Sequence, residues 1–459
     1  MLTRNGVVAL LLLIPASFIG ASAQEKTTAP AAASASAGGT RAPAPPDPLR
    51  ILAGEFASVR RQLEEAEATS AQGRFADAGR TLENALGAID GASPNPKDPM
   101  QRYLAEDLVL GRLIDNSELR ADDEAQLRWL EKRRDARRAF WGEDANAALA
   151  AQNAWALQLC KVGRCQEAIE VQEAVARKTL QTQGAGARNT LVARHNLGVA
   201  LGQAGRYAEA LALSRELAGE AEARWGANDP TTLRFRNSVA ANYTDLGQYA
   251  DALIAHEAVY RARQAALGPA APDTLSSLGS LAATYGMLSR TREAQSLSQQ
   301  GHDLARRTFG PAHPRTQYAA SALAIELRRA GRLGEARALS QQAWDTLSGL
   351  RGARHPETLY AMNVHASVLD AQGDHAEAVR VTGEALQMRR EVMGEMHPLT
   401  LAALRSAGRA RLSAGDAAGA LALLTQAHEG YVRLLGDAHP ETLLALIDRM
   451  SAALQADQL

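Results

Sequence analysis

The sequence predicts an all-α fold, a solenoid built from antiparallel helical hairpins. Three observations carry this prediction: glycines that recur every 42 residues, a second turn midway between them, and a column of small residues in each half of the repeat. No strand is predicted anywhere in the chain. The glycines that set the period are Gly142, Gly184, Gly226, Gly268, Gly310, Gly352, Gly394 and Gly436.

Each repeat opens with a pattern typical of a helix start. Proline lies four residues after the period-setting glycine in six units, and leucine lies seven residues after it in all but one. Proline suits the first turn of a helix because its φ is fixed and it has no N–H, and glycine tolerates the left-handed conformation just past a helix end. We therefore expect each glycine to close one helix and each proline to open the next. These prolines are Pro230, Pro272, Pro314, Pro356, Pro398 and Pro440.

A second turn divides each repeat into two helices. It lies 21 residues after the period-setting glycine, and an alanine follows five residues later in every unit. A repeat of 42 residues is thus predicted to hold helices of about 15 and 18 residues joined by a tight turn. The turn residues are Gly163, Gly205, Gly247, Ser289, Gly331, Gly373 and Gly415.

The two helices of a hairpin are expected to cross at small residues. The first helix has alanine or glycine fourteen residues after the period-setting glycine, and the second helix has its alanine twelve residues later. Small side chains at both positions allow a close interaxial approach. Ala240→Leu or Ala282→Leu is therefore expected to overpack the crossing at about 1 to 3 kcal/mol. The first-helix column is Ala156, Gly198, Ala240, Ala282, Ala324, Ala366 and Gly408.

These columns resemble the tetratricopeptide repeat. Leu281 and Ala282, with Tyr285 and Ala294 at the family's spacing, carry the resemblance. The period alone would also suit HEAT or armadillo repeats, and the small-residue columns favour the tetratricopeptide type. The longer 42-residue unit is similar to that of kinesin light chains. The resemblance implies a right-handed superhelix in which the first helix of each hairpin lines the concave side, where ligand peptides usually lie.

The flanks of the repeat array have a different composition. Residues 1–23 are predicted to be a signal peptide, with an apolar run followed by an Ala-Ser-Ala cleavage pattern. Residues 24–48 are rich in alanine and proline and are expected to form a disordered linker. Residues 49–141 resemble degenerate repeats, 142–435 hold the seven regular ones, and 436–459 are expected to form a capping helix.

Composition and motifs exclude several classes of function. The formal net charge of -1 offers no basic field for nucleic acid. The chain has no phosphate-binding loop and no nucleophile elbow, so we expect no enzymatic activity and no cofactor. Four His-Pro pairs lie a full repeat apart, too far for a shared metal, and each histidine is expected at the entrance to its helix.

The two cysteines lie five residues apart across the first regular turn. Cys160 and Cys165 are expected to pair as a disulfide in an oxidising compartment, with two buried free thiols as the alternative.

The expected ligand site is the polar and aromatic part of the concave face. A protein or peptide partner is predicted to bind there, acidic toward the C-terminal half, so that Arg405→Glu with Arg409→Glu would weaken it. The predicted binding residues are Arg234, Asn237, Tyr318, Arg328, Tyr360, Asn363, Arg405 and Arg409.

Taken together, the sequence predicts an exported, periplasmic or secreted scaffold for protein–protein or protein–peptide interaction. Apart from the export signal, no membrane contact is expected. Two alternatives remain open at this point: a regulatory or sensor subunit of a separate enzyme, and a module that binds cell wall or glycan. The second is weaker because aromatic residues make up only 4% of the chain.

Overall fold

A computed structural model describes residues 52, 56–72, 74–91, 99–120, 122–437 and 439–456. The predicted signal peptide and linker lie outside these residues. The described chain is helical throughout and holds nineteen helices, which confirms the predicted all-α solenoid. Their bounds are α1 Ala57–Ala71, α2 Phe75–Asp90, α3 Pro99–Leu119, α4 Asp123–Trp141, α5 Asn146–Lys161, α6 Cys165–Gln183, α7 Arg188–Gln203, α8 Tyr207–Trp225, α9 Pro230–Asp245, α10 Tyr249–Leu267, α11 Pro272–Met287, α12 Thr291–Phe309, α13 Pro314–Arg329, α14 Leu333–Arg351, α15 Pro356–Gln372, α16 His375–Met393, α17 Pro398–Ser413, α18 Ala417–Leu435 and α19 Pro440–Ala456.

The chain divides into two compact units, and the boundary falls within α5 between Gln158 and Leu159. In the N-terminal unit, helices α1 to α4 pack consecutively around a core that includes Phe56 and Leu110. Asp107 on α3 accepts hydrogen bonds from the guanidinium groups of Arg133 and Arg137 on α4 at 2.7 to 2.9 Å. These paired arginines hold the pKa of Asp107 well below its usual range despite burial of the carboxyl.

Helix ends in the C-terminal unit follow the repeat pattern. Each period-setting glycine adopts a positive φ directly after a second helix, for example 91° at Gly310. The threonine six residues on is buried, and at Thr316 its hydroxyl donates to the Gly310 carbonyl at 2.8 Å. At Thr190 and Thr316 the hydroxyl therefore supplies a partner for a carbonyl that the helix end leaves free.

The His-Pro histidines cap the helices that follow them, as expected. In His313, His355, His397 and His439, the Nδ1 atom accepts a hydrogen bond from the backbone N–H two residues later, at 3.1 to 3.2 Å. A ring nitrogen thus satisfies one of the free N–H groups of the first turn. Proline occupies the next position, where no N–H is needed.

The hairpins stack in two layers. Successive helices contact one another along the C-terminal unit, and the first helices of neighbouring hairpins also touch, most closely α13 and α15. The small residues of both crossing columns are buried, including Ala240 and Ala252 within one hairpin. Close crossings at these positions explain why alanine is so frequent in the chain.

The stack winds back on itself within the C-terminal unit. The turn at Gly163 reaches the last residue of α16, so that a Cβ on Gly163 would lie 2.8 Å from the Met393 carbonyl oxygen. The turn after α9 likewise meets the start of α19, where a Cβ on Gly247 would overlap the ring of Pro440. His439 bridges this closure: Nδ1 accepts from the Glu441 N–H at 3.2 Å, and Nε2 donates to the Asp245 carbonyl at 2.7 Å. Residues 194 positions apart are thereby joined.

Candidate binding surface

The candidate surface, here called the first-helix face, consists of the side chains 8, 11, 15 and 18 residues after each period-setting glycine. Its N-terminal part is accessible: Arg234 is exposed and Asn237 is half-buried. The Arg234 guanidinium lies 5.7 Å from the centre of the Phe235 ring. It also lies near His195, a buried imidazole of the same face whose pKa is lowered to about 3, first by burial and then by Arg234.

Two tyrosines of the face stack on each other. The ring centres of Tyr318 and Tyr360 are 5.1 Å apart at an interplanar angle of 26°. Tyr360 is buried, and Tyr318 is half-buried beside it. The sequence placed these rings one repeat apart, and the contact between α13 and α15 brings them together. Most of their surface is therefore used inside the protein.

Arg405 is not available to a partner, and the expectation of a free basic patch is wrong for this residue. It is only 2% exposed. Its Nε donates to Asp448 at 2.8 Å, and its Nη1 donates to Glu441 at 2.6 Å. Burial lowers the pKa of Arg405, but the two carboxylates more than offset that effect. Arg405 thus fastens α17 to α19.

Arg409, one turn further along α17, is held more loosely. Its Nη1 lies 3.7 Å from the Asp448 carboxylate and is shielded from solvent without a hydrogen bond. Burial lowers the pKa of Arg409, and Arg405 adds to this effect. Asp448 is thus shared between two arginines and neutralises only one of them fully.

Arg328 and Asn363 are buried in the face, and each has a side-chain atom without a hydrogen-bond partner. Arg328 is 8% exposed, its Nε has no hydrogen bond, and no carboxylate of the described residues lies within ion-pair distance of it. Burial lowers its pKa to about 10, and the positive charges of Arg329 and Arg409 contribute to the shift. The Asn363 Oδ1 atom is also buried without a donor. A cation and an acceptor are therefore left unsatisfied on neighbouring first helices.

The two acidic groups whose charges reach Arg328, Glu326 and Asp370, are already engaged, and Glu326 accepts a hydrogen bond from Arg329 Nη1 at 2.5 Å. The Asp370 carboxylate contacts His375 Nδ1 at 2.9 Å and accepts from the Ser413 hydroxyl at 3.3 Å. Its charge reaches Arg328 electrostatically but forms no ion pair with it. Among the described residues, no carboxylate therefore lies at hydrogen-bonding distance from the Arg328 guanidinium.

Elsewhere in the C-terminal unit, buried histidines are kept neutral. Burial lowers the pKa of both His256 and His397 to about 4. His256 Nε2 lies 3.3 Å from the Thr244 hydroxyl, and His397 caps α17. Within the described ranges, no three histidine, cysteine or acidic side chains converge as metal ligands.

Cys160 and Cys165 are joined as a disulfide, with Cα atoms 4.2 Å apart. The bond spans the turn at Gly163, the turn that meets Met393. Its formation in the living cell stays a prediction. Of the helices described, none combines the length and apolarity that a bilayer crossing requires.

Comparison with known families finds tetratricopeptide repeats along the C-terminal unit. One family model of this repeat matches residues 231–307 and 317–391, and a second matches residues 190–218 and 400–441. No curated protein matches the chain significantly.

Solved structures of similar fold include a Rap protein complexed with Competence and Sporulation Factor, at 10% identity and a TM-score of 0.52, covering 87% of this chain and 99% of that one. Aspartyl phosphate phosphatase F from Bacillus subtilis is similar at 12% identity and a TM-score of 0.50, covering 83% and 95%. A kinesin light chain from Podosopora anserina shares 24% identity at a TM-score of 0.39, covering 44% and 94%. At these identities the likeness to the first two shows the fold alone.

Proposed function

Because the chain belongs to the tetratricopeptide-repeat proteins, with repeats like those of kinesin light chains, we propose that it is a non-enzymatic scaffold that binds a segment of a partner protein. The segment lies along the first-helix face, on the concave side of the superhelix. An acidic group of the segment binds at Arg328. The Rap protein of similar fold, solved with a bound factor, is in keeping with this class of function.

The observation that carries the proposal is the unpaired guanidinium of Arg328. A buried cation without a counter-ion is costly, and proteins normally pair it or expose it. Arg405, at a comparable depth, has two carboxylates. A carboxylate from a ligand would give Arg328 the partner that this chain does not supply. A charge-assisted pair of this kind is also among the stronger polar contacts in a binding site.

The neighbouring groups fit an extended peptide. The free Asn363 Oδ1 accepts a hydrogen bond, as a backbone N–H of a bound peptide would donate. Further along the face, Asn237 and Arg234 remain accessible for contacts with the same segment. We keep these two residues in the proposed binding site. For the acidic group of the ligand we propose Arg328 in place of Arg405.

A peptide selection tests this function directly. The purified protein is offered a display library of random peptides, and the selected peptides are measured by fluorescence anisotropy. We expect selection of sequences with Asp or Glu, and a loss of about tenfold to 100-fold in affinity for Arg328→Gln, because a charge-assisted hydrogen bond is lost. Selection of sequences without acidic residues would contradict the proposal.

Arg261→Gln is the matched control. Arg261 lies on a second helix, its side chain is 76% exposed, and it pairs only with Glu257 in its own helix. This variant removes the same charge from the other layer of the solenoid, so its affinity should equal that of the wild type. Equal losses in both variants would show a general effect of net charge rather than a site at Arg328.

We further propose that the protein is exported. Residues 1–23 and the cysteine pair support this, since disulfides persist in oxidising compartments. Mass spectrometry of the protein from a periplasmic or secreted fraction should find Gln24 as its N-terminus and no free thiol. An intact N-terminus together with two free thiols in a cytosolic fraction would refute export.

A further inference from the structure

The last helix of the described chain has an uncovered apolar face. Its buried side, which includes Ala445 and Ala452, packs against α18. The opposite side of α19 bears a row of large apolar side chains at spacings of four, three and four residues. They are Leu443, Ile447, Met450 and Leu454, exposed by 46%, 46%, 54% and 64% respectively. We call this row the α19 stripe.

The stripe occupies positions that earlier repeats keep covered. Leu443 belongs to the leucine column seven residues after the period-setting glycine, and its counterparts Leu359 and Leu401 are fully buried. Met450 stands in the crossing column, where its counterpart Ala366 lies against a second helix. No second helix follows α19 in the part of the chain that the structure describes. An uncovered outer face of a repeat needs polar side chains to stay soluble alone, and the described face of α19 is apolar.

The residue spacing along the α19 stripe is the same in both chain directions. Because the spacings read four, three, four in either direction, a second α19 running antiparallel places Leu443 opposite Leu454 and Ile447 opposite Met450. A two-fold interface requires this property, since each copy presents the same patch to the other. The spacings are those of one helix face, so all four pairs can form together.

The charges of α19 leave the stripe free for a like partner. Glu441 and Asp448 are held by Arg405, and Arg449 Nη1 contacts His428 at 3.2 Å. The remaining exposed residues of α19, Ser451 and Gln455, are neutral. The stripe itself therefore carries no charge, and the Arg449 guanidinium beside it contacts an imidazole rather than a carboxylate.

We propose that two copies of this chain associate through antiparallel contact of their α19 stripes. The four side chains expose on the order of 400 Å² in each copy, about the size of the largest apolar patch on an ordinary monomer. Two such patches bury less than a standard interface of about 1,600 Å², so we expect a weak dimer that dissociates on dilution. Two residues of the stripe, Ile447 and Leu454, lie at the first-helix-face positions of α19, but none of the residues proposed to contact the peptide takes part in the dimer.

Sedimentation velocity across a concentration series tests the dimer. We expect the wild type to pass from monomer to dimer below about 100 µM, and Ile447→Glu with Met450→Glu to dissociate at least about 100-fold more readily. Ile254→Glu is the control, since Ile254 is 71% exposed on α10 and outside the stripe. All of these positions are exposed, so circular dichroism and melting temperature should stay unchanged.

A charge pair tests the antiparallel register. Leu443→Lys with Leu454→Glu places opposite charges together in the antiparallel dimer, so it should dimerise with a dissociation constant that rises with salt. Leu443→Glu with Leu454→Glu places like charges together and should be monomeric. A wild type that stays monomeric, with or without binding to lipid vesicles, would overturn the proposal, as would dimerisation of the doubly acidic variant or loss of dimer in both.

Discussion

Two arginines of the first-helix face should respond to the same substitution in opposite ways. Arg405→Met removes the cation that holds Glu441 and Asp448 at 2.6 and 2.8 Å. Arg328→Met removes a buried cation that has no carboxylate of its own. Methionine preserves much of the unbranched side-chain volume, so the comparison isolates the charge.

The magnitudes follow from what each substitution leaves behind. Loss of Arg405 leaves the Glu441 carboxylate without its arginine and Asp448 with only Arg409 at 3.7 Å, which costs about 3 to 5 kcal/mol. Loss of Arg328 leaves no orphaned partner and removes a desolvated charge, so the free energy of unfolding should be unchanged or rise by about 1 to 2 kcal/mol. At about 2 to 4 °C per kcal/mol, Arg405→Met should melt roughly 6 to 20 °C below the wild type.

Thermal and urea unfolding of both variants, followed by circular dichroism, provide the measurement. Burial already raises the pKa of Glu441, and without Arg405 this carboxyl should take up a proton in the folded state more readily than in the unfolded chain. The defect of Arg405→Met should therefore shrink as the pH falls from 8 to 5. Equal destabilisation by the two substitutions would refute the distinction between a structural and a binding arginine.

Three further outcomes are expected. Gly163→Ala should destabilise the protein more than Gly331→Ala does, by about 1 to 3 kcal/mol. Both glycines have a positive φ, but only a Cβ at residue 163 would collide with the Met393 carbonyl oxygen. Equal urea midpoints for the two variants would contradict the closure of the stack. Ala240→Leu should lower stability by about 1 to 3 kcal/mol at its buried crossing, and an unchanged melting temperature would refute a tight approach there. As the pH falls below 6.5, the unfolded chain protonates histidines that the fold keeps neutral, so stability should fall by on the order of 1 to 2 kcal/mol per buried histidine at pH 5. His256→Gln should show a smaller fall between pH 7 and 5, and an identical pH profile would show that His256 is protonated in the fold.

The helices were predictable because their ends depend on local chemistry. Proline and glycine act within a few residues of their own position, so the period predicted the start of α9 at Pro230 and the glycine after each second helix without knowledge of packing. The predicted helix lengths of about 15 and 18 residues fall one short of the observed 16 and 19. The difference lies within the usual uncertainty of helix ends.

The exposure and ion pairing of the binding residues were less predictable, because both depend on side chains of neighbouring repeats. A helical position of Arg405 suggests an exposed cation, yet its partners Glu441 and Asp448 lie 36 and 43 residues later, on the next first helix. A search for opposite charges about one period apart would have found them. The contact between His439 and Asp245 has no such signal, because it depends on how sharply the stack curves.

This closure limits how the array can change in length. An open solenoid can gain or lose a hairpin at either end or in the middle, since each unit interacts only with its neighbours. Here the Asp245 carbonyl must meet His439 after a fixed number of units, and each unit contributes a fixed rotation. Inserting or deleting one hairpin between them would carry α19 past its partner. A change in the copy number of the intervening repeats would therefore break the contact between His439 and Asp245.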